Sequence, residues 1–110
     1  MSERLLTDFE LMVLLAVLRN RDDAYGVSIA REIEATAGRS VTHAAVYLAL
    51  DRLVEQGLAT ARLGDPTPER GGRAKKLFSV TAAGLRAIRR TRAAFVALWK
   101  GLPELKGSPS

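Results

Sequence analysis

Apolar positions recur along the chain with changing period, and the changes mark the elements. The segment TDFELMVLLAVLRNRDD opens with Thr7 followed three residues later by Glu10, the pattern of a capping box. Phe9 and then every residue from Leu11 to Leu18 are apolar, so this first helix is apolar nearly all the way round and needs cover on more than one side. In so small a chain a second subunit is the natural second cover. DDAYGVSIAREIEATAGRS predicts a helix over Ala24 to Ala37, capped by Asp23 and ended by Gly38, with Val27, Ala30, Ile33 and Ala37 on its buried face. Gly26 in its first turn costs about 1 kcal/mol relative to alanine, which points to a close approach by another group. VTHAAVYLALDRLVEQGL is the clearest helix, with Thr42 as N-cap, Gly57 as stop and Val46, Leu50, Leu53, Val54 and Leu58 as core stripe. Only Gly38 to Val41 separate it from the helix before, which makes the pair a helix-turn-helix candidate.

The period then falls to two. LATARLG and AKKLFSVT read as short strands, with Phe78 and Val80 on one face of the second and Leu77 and Ser79 on the other. Between them DPTPERGGR is a loop signal, so the pair predicts a hairpin with a long tip, Gly64 to Arg73. A last helix starts at Thr81. Leu85, Ile88, Arg92, Phe95, Trp99 and Leu102 repeat in it with heptad-like spacing, widened by Ala94 and Leu98. The expected organisation is a compact body over residues 5–80, a helix over 81–102 and a disordered tail over 103–110.

Charge changes this picture from a fold to a partner. The 110 residues carry a net charge of +5, but residues 60–92 hold nine basic residues against two acidic ones. The rest of the chain is therefore slightly acidic, and one concentrated basic stretch points to a polyanion. Nucleic acid is favoured over membrane, because neither end carries a basic amphipathic helix with aromatic anchors. No apolar run approaches the roughly 20 residues of a membrane span, and no leader-like segment is visible, so a cytoplasmic protein is expected. With no cysteine and one histidine, His43, neither a metal site nor a Cys-His or Ser-His-Asp site can be assembled, and no cofactor is implied. Gly71-Gly72 is not a P-loop, since the GxxxxGK[ST] spacing is missing. An enzyme is not expected.

Three helices, a two-stranded hairpin and a further helix make an α+β, mostly α fold, a winged helix-turn-helix with a C-terminal dimerisation helix. That order presents the third helix to the major groove of double-stranded DNA and the hairpin tip to the neighbouring backbone. AYGVSIAREIE, VTHAAVYLALDRLVEQGLA and GGRAKKLFSVTAAG moreover resemble the PadR family of bacterial winged-helix transcriptional regulators, over about Tyr25 to Gly84. The single helix after the wing is similar to the short subclass. The resemblance implies a homodimer built by the first and last helices, most often a repressor, and in some members a small aromatic or drug-like effector. His43 and Leu48 stand where the family commonly has proline, and Ala45 where it commonly has threonine, so base preference cannot be carried over from relatives.

The DNA-facing set expected on these grounds is Tyr25, Thr42, His43, Ala44, Tyr47, Leu48, Arg52, Gly72, Arg73, Lys75 and Lys76. By resemblance Tyr47 contacts phosphate through its hydroxyl; the alternative is a half-buried packing tyrosine. Tyr25 is a core residue or a DNA contact, and Arg52 a phosphate contact, an inter-helix contact or a free surface arginine. His43 reads equally as a base or phosphate contact and as a solvent-exposed residue. The outer face of the third helix, Ala44, Ala45, Leu48 and Asp51, has few donors, so base readout would rest on His43, on apolar contacts to thymine methyls and on DNA shape. Arg70 is open between DNA and solvent. Arg86, Arg89, Arg90 and Arg92 read as a partly solvated face, some of it flanking DNA. Phe9, Met12, Leu15, Leu85, Ile88, Phe95, Leu98, Trp99 and Leu102 form the expected dimer interface. Trp99 is its anchor or, alternatively, a ligand-stacking residue between subunits. Two further functions stay open: a winged-helix module whose basic wing meets an acidic protein, and a dimer acting mainly as a small-molecule sensor.

Overall fold

The computed structural model describes residues 4–64 and 75–106. Within them run α1 (Asp8–Asn20), a 3-10 turn (Arg21–Asp23), α2 (Gly26–Ala37), α3 (His43–Glu55), β1 (Ala59–Leu63), β2 (Lys76–Val80), α4 (Ala82–Trp99) and a second 3-10 turn (Pro103–Leu105). This is the winged helix-turn-helix with one C-terminal helix, mostly α, that the pattern predicts.

The α1 capping box forms as read. Thr7 Oγ1 accepts from the Glu10 N–H at 3.1 Å, and the Glu10 carboxylate accepts from the Thr7 N–H at 2.8 Å. The same carboxylate takes both arms of the Arg4 guanidinium, at 2.8 and 2.9 Å. That pairing holds the Glu10 carboxyl below its ordinary value, the Arg4 hydrogen bonds being the largest cause. Val13, Leu14, Ala16 and Val17 are buried, while Leu15 and Leu18 stay exposed. One side of α1 thus meets the core and another remains open.

α2 begins later than expected. Asp23 is not its cap: it ends the 3-10 turn, and Ala24 and Tyr25 are extended. The reason is tertiary. The Ala24 carbonyl accepts the Phe78 N–H at 2.8 Å, which draws residues 24–25 alongside β2. The Ser28 hydroxyl then organises the start of the helix, accepting from the Tyr25 N–H at 3.0 Å and donating to the Asp23 carbonyl at 2.7 Å. The buried face also differs from the expected one. It is Gly26, Ile29, Ala30 and Ile33; Val27 is half-buried and Ala37 exposed. Gly38 ends α2 in the left-handed region at φ 71°.

α3 follows its prediction. Thr42 caps it, its hydroxyl accepting from the Ala45 N–H at 3.0 Å, and Gly57 leaves it at φ 78°. Val46, Leu50 and Leu53 are fully buried, and Ala49, absent from the expected stripe, completes the face. β1 and β2 pair antiparallel with Ala59 opposite Val80 and Leu63 opposite Lys76, and the Gly64 N–H donates to the Lys75 carbonyl at 2.7 Å. Phe78 projects from β2 into the core and is buried. The root of the wing is thereby fixed to the helices.

α4 is joined to the body by its first half only. Gly84, Ala87 and Thr91 are its buried residues. A Cβ on Gly84 would strike the Leu58 carbonyl oxygen and come within 2.7 Å of Val80 Cγ1, so glycine alone permits this crossing. Thr91 is a buried polar residue that the heptad reading passes over. It accepts from the Leu6 N–H at 3.0 Å and donates to the Ala87 carbonyl at 2.8 Å, fastening the N-terminal segment to α4. Past Thr91 no residue of α4 is buried. The helix also stops at Trp99, short of the expected Leu102, because Gly101 adopts φ 78° and Pro103 follows. The overhang shows in the radius of gyration, 15.7 Å, and the long axis of 55 Å; a compact domain of this length has a radius of about 13 Å.

Candidate nucleic-acid interface

At 100° per residue the buried face of α3 leaves an opposite line of Ala44, Leu48, Asp51 and Glu55, all exposed. Leu48 is 54% exposed, unusual for a leucine in the middle of a helix. Tyr47 flanks this line. The far end of its ring lies where a Cβ on residue 26 would be, so the close approach inferred at Gly26 is made by Tyr47. The ring therefore packs on the first turn of α2 while the residue keeps 38% exposure, and its hydroxyl has no hydrogen bond among the described residues. The ring thus packs on α2 and leaves the phenol exposed, a geometry compatible with either reading of Tyr47. Arg52 and His43 are exposed, with no ion pair among the described residues. The Thr42 hydroxyl oxygen accepts the cap hydrogen bond, and its O–H is left to donate.

The wing root adds charge beside this face. Lys75 Nζ lies 3.3 Å from Asp23 Oδ1 and 4.3 Å above the half-buried Tyr25 ring. Lys76 Nζ lies 3.9 Å from Asp51 Oδ1 and 5.8 Å from the Phe78 ring. Each lysine of the expected DNA-facing set thus has a carboxylate partner. Their carboxylate partners come from the turn before α2 and from α3, contacts no local pattern encodes. Surface pairs of this kind contribute about 0–1 kcal/mol, so a phosphate can compete for either ammonium. Tyr25, Tyr47, Leu48, Lys75 and Lys76 are thus linked through α2, α3 and β2 into one surface. Gly72 and Arg73, with Arg70, lie outside the described residues. No group of side chains suited to a metal ion occurs among the described residues, and no described helix is long and apolar enough to cross a membrane.

The sequence pattern of the PadR-like transcriptional regulator family matches residues 14–90, from the middle of α1 into α4. The chain belongs to the PadR-like family. Solved structures agree. RosR of H. salinarum is 27% identical with a TM-score of 0.69, over 96% of this chain and 87% of that one. A PadR family regulator from Eggerthella lenta is 26% identical with a TM-score of 0.67, over 86% and 80%. Bacillus subtilis PadR, solved in complex with operator DNA, shares the fold at 21% identity and a TM-score of 0.63, over 76% of this chain and 46% of that one. No curated protein matches the chain significantly in sequence. As a PadR-like protein it is a transcriptional regulator and not an enzyme.

A second surface of this PadR-like chain is apolar. Phe95 and Leu98 on the overhang of α4 are 57% and 77% exposed, and Trp99 and Leu102 are exposed beside them. Phe9, Met12, Leu85 and Ile88 are half-buried. Between α1 and α2 lies a groove of about 490 Å³, lined by Met12, Leu15, Leu18, Ile33 and Ala37, with the Arg19–Glu32 pair at 2.8 Å on its rim. Glu32 is held below its ordinary value by the Thr36 hydroxyl first and by Arg19 second. Trp99 does not line this groove.

Proposed function

We propose that this regulator is a homodimeric repressor of a palindromic operator, released by a small aromatic or drug-like effector. The observation that carries the dimer is the bare overhang of α4. Four large apolar side chains, Phe95, Leu98, Trp99 and Leu102, stand exposed within eight residues, a patch that soluble proteins cover with a partner. Met12 and Leu15 of α1 offer a matching apolar surface. Residues 81–102 then serve dimerisation and residues 5–80 serve DNA binding. A two-fold axis relates the two α3 helices, which enter successive major grooves about 34–36 Å apart on an inverted repeat. His43, Ala44 and Leu48 meet base edges; Tyr25, Thr42, Tyr47, Arg52, Lys75 and Lys76 hold the backbone, as would Gly72 and Arg73 of the tip. The fold shared with operator-bound B. subtilis PadR supports this docking. A dimer covering two grooves represses by excluding other proteins from that stretch. An effector stacking on Trp99 between subunits would change the separation of the two α3 helices and so release DNA.

Sedimentation of the wild type beside Phe95→Asp/Leu98→Asp tests this directly. Both side chains are exposed, so the variant keeps its fold. The wild type should run at twice the chain mass and the variant at the chain mass, with weakened DNA binding. A monomeric wild type at micromolar concentration refutes the dimer.

A further inference from the structure

The outermost line of α3 has an unusual chemistry for a helix that reads DNA. Its first two members, Ala44 and Leu48, end in methyl groups, and its last two, Asp51 and Glu55, are carboxylates. None can donate a hydrogen bond. The arginine, lysine, asparagine or glutamine that reads guanine or adenine through paired hydrogen bonds is absent from this line. Asp51 is an acceptor suited to cytosine, but its carboxylate faces Lys76 Nζ at 3.9 Å and lies about two turns beyond Ala44 towards the C-terminal end of the helix. At the N-terminal half, which enters the groove deepest in helix-turn-helix proteins, the larger side chain of this line is Leu48, 54% exposed. Its exposure has no explanation in the folding of this chain, since neither the core nor α4 uses it. The only apolar group on the major-groove edge of a base pair is the thymine C5-methyl.

We propose that Leu48, seconded by Ala44, is a specificity-determining residue that reads thymine through its C5-methyl group in each half-site. This rests on the DNA-binding mode proposed above. Tyr47, Arg52, Lys75 and Lys76 fix the helix against the backbone and carry no base information, so removal of the methyl contact relaxes selectivity more than it weakens binding overall.

The test uses duplexes recovered from a random pool by the wild-type protein, resynthesised with deoxyuridine for each half-site thymine in turn. Uracil pairs identically and lacks only the methyl. At one thymine per half-site the wild type should lose about four-fold in affinity, the worth of one methyl group removed from an apolar contact. Leu48→Ala is at an exposed helix site where alanine is well tolerated. It should bind the thymine duplex more weakly and be indifferent to uracil at that position. Wild-type binding unaffected by uracil at every position, or Leu48→Ala as sensitive as the wild type, overturns the proposal and leaves the regulator reading standing. Failure of the wild type to bind any duplex at low salt overturns both.

Discussion

Gly26→Ala separates stability from DNA binding in a way that follows from one contact. The new Cβ would occupy the place of the Tyr47 ring. The obstacle is the far end of a partly exposed side chain whose hydroxyl is unbonded among the described residues, so the ring swings outward and the helices stay in place. Displacing it exposes roughly 60 Å² of apolar surface, about 1.5 kcal/mol at 25 cal/mol per Å². Alanine returns up to about 1 kcal/mol of helix propensity, and less at a first helical position. The net loss of stability is therefore about 0.5–1.5 kcal/mol. In the proposed docking DNA binding suffers more, because there Tyr47 bonds phosphate and a displaced ring loses a hydrogen bond to a charged group, about 1.5–3 kcal/mol. Affinity should fall about ten-fold or more. Thermal denaturation and fluorescence anisotropy on one preparation give both quantities. The decisive control is Tyr47→Ala. In that background the obstacle is gone, only the propensity gain remains, and Gly26→Ala should become stabilising. If Gly26→Ala lowers stability equally with and without Tyr47, the reasoning fails.

Other substitutions probe the frame that holds this surface. Gly84→Ala meets the Leu58 carbonyl and Val80 Cγ1, backbone and rigid root where Gly26 meets a mobile ring; it should cost about 3 kcal/mol or more, read by urea denaturation, and a near-neutral result would show that α4 can shift on the hairpin. Thr91→Val removes the acceptor for the buried Leu6 N–H and should cost about 1–3 kcal/mol, with faster hydrogen exchange at Leu6. Glu10 is held below its ordinary value by Arg4, so the unfolded chain takes up that proton first. Its contribution is complete above the ordinary glutamate range and is lost as pH falls through the lowered folded value, and Glu10→Gln should flatten that part of a stability curve against pH.

What was legible in the sequence was what short-range chemistry decides. Thr7 with Glu10, Thr42 with Gly57 and the alternation around Phe78 each name an element and its ends, because a cap or a pleat is satisfied within a few residues. The start of α2 was not legible. Its first residues answer to the Phe78 N–H, about fifty positions away, and a local cap signal such as Asp23 cannot weigh that. The pairs Lys75–Asp23 and Lys76–Asp51 are hidden for the same reason. Thr91 carries no signal in the sequence, since nothing nearby reveals the Leu6 N–H it accepts from. The end of α4 is signalled by Gly101 and Pro103, but the regular apolar spacing runs on through Leu102 and masks it. At the candidate interface the residues were nameable from the start. The donor-poor outer face of α3 is legible too; the burial pattern of the folded chain removes Ala45 from it, adds Glu55 and shows how far Leu48 is exposed.

Selection of bound duplexes from a random pool tests the central claim most directly. Two copies of α3 related by a two-fold axis predict an inverted repeat whose half-site centres lie one helical turn, about 10–10.5 base pairs, apart. Enrichment of a single unrepeated half-site, or of no sequence at all, would contradict it.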